Sequence, residues 1–341
     1  MKIALDAMGG DFAPARPVAA AVNALERFPG ITELYLVGHQ DRINEELARV
    51  GVKSDDRLKV YHCTQVIEMD EGAVDSVRRK RDSSINRSIE LVKEGKADAV
   101  ISAGHTGAMV ASSSIKLRTL PGIGRAGIAA IMPTEFNRFV LMDAGANIDA
   151  EPDNLVEYGI MGSIFSSHVL GFEDPKVGLM SVGTEESKGN EVTKKAYKLL
   201  SDAPVNFVGN VEGHDLYERP VEVVVCEGFV GNVILKTSES LANAIFAWLK
   251  REIKSNPLRR IGAVLAKGAF ASIKKRTSYE EIGGCLLLGV NGIVVISHGS
   301  STVKAIANAI GAGVNAVDTN LNDDILAAMD KWNQTLEEKK S

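Results

Sequence analysis

Along the chain, short apolar runs alternate with longer stretches in which apolar positions recur every three to four residues. The short runs are rich in Val and Ile and have the length of buried strands. They predict strands at 2–6, 34–38, 58–62, 99–102, 128–132, 139–143, 177–181, 207–211, 221–226, 285–288 and 293–297. The longer stretches predict helices over 14–27, 41–50, 84–93, 106–116, 154–170, 191–200, 232–254, 257–275, 301–312 and 320–337. The stretch before the fourth strand shows the pattern: Ser84 reads as a cap, and Ile85, Ile89 and Val92 follow at i, i+4 and i+7. Strands alternating with helices imply a mostly parallel sheet covered on both faces, a three-layer α/β/α architecture. The runs at 128–132 and 139–143 are too close for a parallel crossover, so the sheet is expected to be mixed. No repeat or long linker interrupts the pattern, which gives one unit over 1–335 and a frayed tail at 336–341.

Composition narrows the class. Apolar residues make up 45% of the 341 and charged residues 24%, enough to bury a large core. The formal charge of −5 argues against nucleic acid as a partner of the whole protein. Cys63, Cys226 and Cys285 are far apart and form no Cys-x-x-Cys, so neither a zinc site nor a disulfide framework is expected, and reduced thiols in a cytosolic protein fit better. The first residues read as a strand, not a signal peptide, and no apolar stretch has the roughly 18 residues of a membrane span.

The chemistry is expected where strands end. Six polar, glycine-rich loops follow predicted strands: Asp6 to Asp11 with Gly9 and Gly10, Ser102 to Gly107 with Gly104, His105 and Thr106, Asp143 to Asn147, Ser181 to Asn190, Gly228 to Asn232, and Ser297 to Ser301 with His298, Gly299 and Ser300. Each loop alone is ordinary turn chemistry. Six of them at one sheet edge, several running into helices, describe an anion site built from backbone amides. The loop Gly183-Thr184-Glu185 continues to Lys188, Gly189 and Asn190 just before a helix, where an ammonium can face a phosphate or simply pair with Glu185 or Glu186. Gly122-Ile123-Gly124-Arg125-Ala126-Gly127 matches Gly-x-Gly-x-x-Gly but precedes a strand, the reverse of a dinucleotide fingerprint. No Gly-x-Ser-x-Gly occurs, so a hydrolase elbow lacks support.

One segment has a different character. From Lys250 to Arg276 there are nine Lys and Arg against a single acid, Glu252, interleaved with Leu258, Ile261, Val264, Leu265 and Phe270 around Lys267. A basic amphipathic helical pair suits an anionic membrane surface or an acidic partner, or packs its apolar stripe into a core or dimer interface.

Taken together, the loops resemble the phosphate acyltransferase PlsX family of bacterial phospholipid synthesis, from Met1 to about Ala328. The resemblance rests on Leu5-Asp6-Ala7-Met8-Gly9-Gly10-Asp11, Ser102-Ala103-Gly104 with Thr106-Gly107, Asp143-x-Gly145-Ala146-Asn147, Val182-Gly183-Thr184-Glu185 with Lys188-Gly189-Asn190-Glu191, Gly228-Phe229-x-Gly231-Asn232-Val233, and His298-Gly299-Ser300-Ser301. It implies an isocitrate/isopropylmalate dehydrogenase-like fold of two intertwined lobes, a homodimer, no cofactor and no metal. The implied reaction converts acyl carrier protein thioester and inorganic phosphate to acyl-phosphate. It further implies peripheral membrane attachment through 243–276 and a downstream glycerol-3-phosphate acyltransferase. Lys188 and Asn232 match the family's catalytic positions; His105 stands where asparagine is common and Phe12 where histidine is. Alternatives are a phosphate acetyltransferase acting on a coenzyme A ester, a metal- and NAD-dependent dehydrogenase of the same fold, for which Asp143, Asp149 and Asp153 are a poor ligand set, and a non-catalytic lipid-surface scaffold.

Overall fold

The computed structural model describes residues 1–51, 55–135, 137–277 and 279–338. Among them, eleven strands form one sheet: β1 Lys2–Asp6, β2 Glu33–Gly38, β3 Leu58–His62, β4 Ala99–Ser102, β5 Gly127–Pro133, β6 Arg138–Met142, β7 Lys176–Met180, β8 Asn206–Val211, β9 Val223–Val225, β10 Cys285–Leu288 and β11 Ile293–Ile296. Their order is β3-β2-β1-β4-β11-β10-β5-β6-β9-β7-β8. The helices are α1 Ala15–Arg27, α2 Gln40–Val50, α3 Ala73–Arg79, α4 Ser84–Lys93, α5 Thr106–Lys116, α6 Pro152–Phe165, α7 Glu191–Asp202, α8 Asp215–Glu218, α9 Gly228–Lys254, α10 Pro257–Leu265, α11 Lys267–Thr277, α12 Val303–Asp318 and α13 Leu321–Glu338. A π-helical turn, Ser166–Leu170, extends α6.

Period-two alternation puts successive strand residues on opposite faces. On β1, Ile3 and Leu5 join one core cluster and Ala4 the other; on β11, Ile293 and Val295 separate in the same way from Val294 and Ile296. The first face is covered by α1, α2, α6, α7, α12 and α13. The second is covered by α3, α4, α5 and α8 and by the start of α9. This is the three-layer mixed architecture expected from the pattern.

Strand direction is where expectation fails. β1, β4 and β11 are mutually parallel. β10 runs against β11 and against β5, and β5 runs against β6. β6, β9, β7 and β8 are then parallel to one another. The second parallel set is therefore reversed relative to the first. The loops after β1, β4 and β11 leave one edge of the sheet; those after β6, β7 and β9 leave the other. Six loops at one edge is not what the chain builds.

Smaller differences have local causes. Ser83, not Ser84, caps α4, accepting from the Asn86 amide at 3.4 Å. Helix α9 begins at Gly228 because the Glu227 carboxylate accepts from Phe229 N at 2.6 Å and Val230 N at 2.9 Å, so Asn232 lies within the helix and not in a loop. The predicted helix 257–275 breaks at Ala266 into α10 and α11. Two short helices, α3 and α8, have no counterpart among the predicted elements. Helix α13 continues to Glu338, and residues 339–341 of the expected tail lie outside the described residues.

Helix α9 has 27 residues, about 40 Å of length. Val230, Ile234 and Leu235 pack onto the second core cluster. Further along, Leu241, Ile245 and Trp248 emerge into solvent. The distal half of α9 with α10 and α11 thus forms an arm standing off the sheet. Its base is fixed by Gly231, where a Cβ would overlap the Asp143 carbonyl oxygen. Backbone cannot yield there as a side chain could. Gly231→Ala is expected to cost about 3 kcal/mol, read as a lowered denaturation midpoint. Gly262→Ala in exposed α10, where a Cβ meets nothing within 4 Å, is expected to be neutral or to stabilise by up to about 1 kcal/mol.

Candidate active site

The first loop cluster is organised by Asp6. Its buried carboxylate accepts from Ser102 Oγ at 2.7 Å and Met8 N at 3.1 Å, and Ser102 Oγ accepts in turn from Gly104 N at 3.0 Å. Burial pushes the Asp6 carboxyl above its usual range, against the pull of these donors. Gly9 and Gly104 are thereby pressed together: a Cβ on Gly9 would sit 2.6 Å from Asp6 Oδ2 and 2.7 Å from Gly104 N. Asp11 N donates to the Gly299 carbonyl at 2.9 Å, which joins the β1 and β11 loops and brings Gly10 against Gly299. Arg16, stacked 3.4 Å over the Phe12 ring, donates to the Ser300 and Ser301 carbonyls at 2.8 and 2.9 Å. His298 Nδ1 accepts from Ser300 N at 3.2 Å and lies 2.8 Å from Ser300 Oγ, an arrangement that leaves the proton of a neutral ring on Nε2.

His105 is tied to the scaffold. Its Nδ1 accepts from Ala108 N at 3.2 Å as the cap of α5, and its Nε2 faces the Glu71 carbonyl at 3.0 Å. Both nitrogens are spent on fixing the start of α5, where Thr106 and Gly107 follow.

The second cluster is organised by Asp143. Oδ1 accepts from Ile128, Gly145 and Ala146 amides at 2.9, 3.0 and 2.9 Å; Oδ2 accepts from Ala146 and Asn147 amides at 3.1 and 2.7 Å. Its carboxyl is nonetheless raised by burial. Asn147 turns inward, donating to the Ala126 carbonyl at 2.5 Å and lying 2.9 Å from Tyr158 Oη, so its side chain is also tied to the scaffold. Gly228 N donates to the Asn147 carbonyl at 2.7 Å, which docks α9 onto this loop. Asn232 consequently stands beside Gly145, its own Cβ 3.4 Å from where a Cβ on that glycine would be.

The third group is the loop after β7. Lys188 folds across Gly183, its Cγ 2.7 Å from where a Cβ on that glycine would stand. Lys188 N donates to the Glu185 carbonyl at 3.0 Å, and Asn210 Nδ2 holds the same oxygen at 2.9 Å. Asn190 caps α7 through the Thr193 amide at 2.8 Å. Thr184 and Lys188 are exposed, and among the described residues no carboxylate lies within ion-pairing distance of Lys188 Nζ.

A cavity of about 150 Å³ shows which groups converge. Helices α5 and α9 both cover the second face but leave a gap between them. The floor of that gap is β11, β10 and β5, presenting Ile296, Cys285, Ile128 and Ala130. Thr106 and His298 reach it from the first cluster, Gly145 and Asn232 from the second. Leu235, Lys236 and Glu239 continue the α9 wall. Lys188 and its loop do not line this cavity, nor do Asp6, Gly9 and Gly10, which border a separate recess of about 50 Å³.

The Gly-x-Gly-x-x-Gly loop has an internal occupant. Gly124 N and Arg125 N donate to the Glu157 carboxylate at 3.0 and 3.4 Å, so these amides hold a side chain and not a dinucleotide phosphate. Sequence reasoning missed Leu235, Lys236, Glu239 and Cys285. The α9 residues among them, spaced at i, i+1 and i+4, mark a helix face, but nothing in that spacing shows that the face borders a gap.

Asp143→Asn leaves one acceptor oxygen among four backbone amides and turns an NH2 toward them. It is expected to cost about 3 kcal/mol by denaturant titration, while Asp149→Asn at the exposed end of the same loop stays within about 0.5 kcal/mol.

Comparison with known proteins agrees with this architecture. A family model described as fatty acid synthesis protein matches residues 1–324. A phosphate acyltransferase of Desulfitobacterium hafniense is 49% identical over 326 residues, covering 95% of this chain and 96% of the relative. One from Akkermansia muciniphila is 47% identical over 328 residues, covering 94% of each. Among solved structures, a phosphotransacetylase from Streptococcus pyogenes superposes with a TM-score of 0.60 at 20% identity, over 94% of each chain, a likeness of fold. With a family model and relatives of this identity both spanning nearly its whole length, the chain belongs to the PlsX phosphate acyltransferase family.

Proposed function

We propose that the protein transfers an acyl group from acyl carrier protein to inorganic phosphate, releasing acyl-phosphate for phosphatidic acid synthesis. The observation that carries this reading is the cavity between α5 and α9: an apolar floor with Asn232, Thr106 and His298 at its margins. An acyl thioester needs such a combination, because its chain must leave water while its carbonyl meets donors.

In the proposed reaction a phosphate oxygen attacks the thioester carbon and the C–S bond breaks. The sulfur leaves as a thiolate with a pKa of about 8.5, so no strong general acid is required. Phosphate is itself the nucleophile, and no Ser or Cys need form a covalent intermediate. Asn232 Nδ2 or His298 Nε2–H stabilises the oxyanion of the tetrahedral intermediate. Lys188, without a carboxylate partner among the described residues, supplies charge for phosphate, and amides of the Gly183–Gly189 loop assist it. Since Lys188 does not line the cavity, this role requires its long side chain to swing toward Asn232 when phosphate binds.

The arm is assigned to surfaces outside the site. Leu258, Ile261, Val264 and Leu265 are exposed on α10 among Arg259, Arg260 and Lys267, which suits an anionic membrane surface. Phe270 departs from that set: with Leu249, Ile253 and Ala263 it faces into the arm itself. No helix among the described residues is long and apolar enough to cross a membrane, so attachment would be peripheral, on a cytoplasmic protein that hands its product to a glycerol-3-phosphate acyltransferase. The exposed Leu241, Ile245 and Trp248 stripe on α9 suits a second copy of the chain in a homodimer. For acyl carrier protein, Arg78, Arg79 and Arg81 are the exposed cations of the 78–81 run, Arg79 lying 3.6 Å from Asp75, while Lys80 is half-buried in its pair with Glu71.

Incubation of long-chain acyl carrier protein with labelled phosphate is expected to yield labelled acyl-phosphate; activity with acetyl-coenzyme A alone would overturn the substrate assignment. Asn232→Ala is expected to lower kcat by about 100-fold. Lys188→Ala is expected to raise the KM for phosphate by about tenfold or more, and unchanged kinetics would remove Lys188 from the site. Leu258→Glu with Ile261→Glu and Leu265→Glu is expected to cut flotation with phosphatidylglycerol vesicles by about 100-fold or more.

A further inference from the structure

We propose that Arg16 is a positioning residue for the reaction, acting through His298, whose loop it fastens from outside the cavity. The inference rests on the acyl-transfer reading above and adds what holds His298 at the cavity margin.

Three successive carbonyls of the His298 loop are taken by the segment after β1. The Gly299 carbonyl accepts from Asp11 N at 2.9 Å. The Ser300 and Ser301 carbonyls accept from Arg16 Nη1 at 2.8 and 2.9 Å. Thr302 then caps α12, so these carbonyls stand ahead of the helix and outside its own hydrogen bonding. The loop also faces the cavity. Ser297 Oγ donates to the Gly283 carbonyl at 2.9 Å and lies 2.9 Å from Ser301 Oγ, and Gly283, Ser297 and His298 all line the cavity. Arg16 does not.

The orientation of His298 depends on the residues that Arg16 holds. The His298 carbonyl accepts from Ser301 N at 2.9 Å, and its Nδ1 accepts from Ser300 N at 3.2 Å. There is little slack between the two loops: a Cβ on Gly10 would lie 2.9 Å from the Gly299 carbonyl oxygen, and one on Gly299 would lie 3.0 Å from Asp11 Oδ1. Arg16 also differs from an ordinary surface arginine. Arg49 and Arg57 pair with Glu46 and Asp55, whereas among the described residues no carboxylate lies within ion-pairing distance of Arg16. Its charge goes to backbone carbonyls, which strengthens both bonds. Phe12, 50% exposed, has its ring 3.4 Å beneath the guanidinium and fixes that plane. Releasing Ser300 and Ser301 would let the imidazole tilt, and a shift of about 1 Å beside reacting atoms can cost about 100-fold in rate.

The test uses Arg16→Met and Arg16→Lys, each alone and combined with His298→Ala. With long-chain acyl carrier protein, Arg16→Met is expected to lower kcat by about tenfold while the KM for phosphate moves by less than about twofold. Arg16→Lys, which keeps a charged donor, is expected to recover part of the loss. In the His298→Ala background the Arg16→Met step is expected to cost less than about twofold. An equal loss in both backgrounds, an undiminished kcat, or a raised phosphate KM at unchanged kcat would overturn the inference. A second readout does not depend on turnover: the imidazole nitrogen NMR signals of protein isotopically labelled at histidine, with those of His298 assigned by their loss in His298→Ala. They are expected to move in Arg16→Met and to return part of the way in Arg16→Lys, while those of His168 and His214 stay in place. Movement confined to His298 would uphold Arg16 as its support even if carrier protein proved not to be the acyl donor, whereas unmoved His298 signals would refute it.

Discussion

Two parallel sets of strands that run in opposite senses must be joined by antiparallel neighbours, and β11, β10, β5 and β6 do this at the centre of the sheet. The helix layer on the second face is built from both sides, α5 following β4 and α9 following β9. It does not close over the junction. The consequence is a cavity over the central strands, bordered by the starts of two helices. A sheet with all strands in one sense would have gathered the glycine loops at an edge and sealed this face.

Two buried aspartates hold the borders of that cavity. Asp6 ties the first cluster together through Ser102, and Asp143 ties the second through four backbone amides. Each carries a carboxyl raised by burial, so each is kept as a hub only because donors surround it. Neither lines the cavity between α5 and α9. Their work is positional: one seats the loops leading to Thr106 and His298, the other seats α9 so that Asn232 faces the gap. His105 and Asn147, both expected among the binding residues, are tied into this same framework by their own hydrogen bonds.

Much of the fold is legible in the sequence because buried strands and amphipathic helices impose different periods. All eleven strands stand where apolar runs predict them, four with the same bounds. Direction is not legible, because an apolar run such as 139–143 reads identically either way and only its short link to 128–132 hints at reversal. The site is legible as motifs but not as a place. Asn232 and His298 do meet across the cavity, while Lys188 stands with Gly183 in a separate loop. The apolar floor escapes notice because Ile128, Ala130 and Cys285 look like any other core positions until the helix layer above them is seen to part.

The most direct measurement is a crystal structure of the protein with a hydrolysis-resistant long-chain acyl carrier analogue. The account predicts density for the chain along Ile128 and Ala130 between α5 and α9, with the acyl carbonyl oxygen within hydrogen-bond distance of Asn232 Nδ2. A chain lying along the α9–α11 arm, or a carbonyl seated at the Asp6–Gly9 recess, would contradict it.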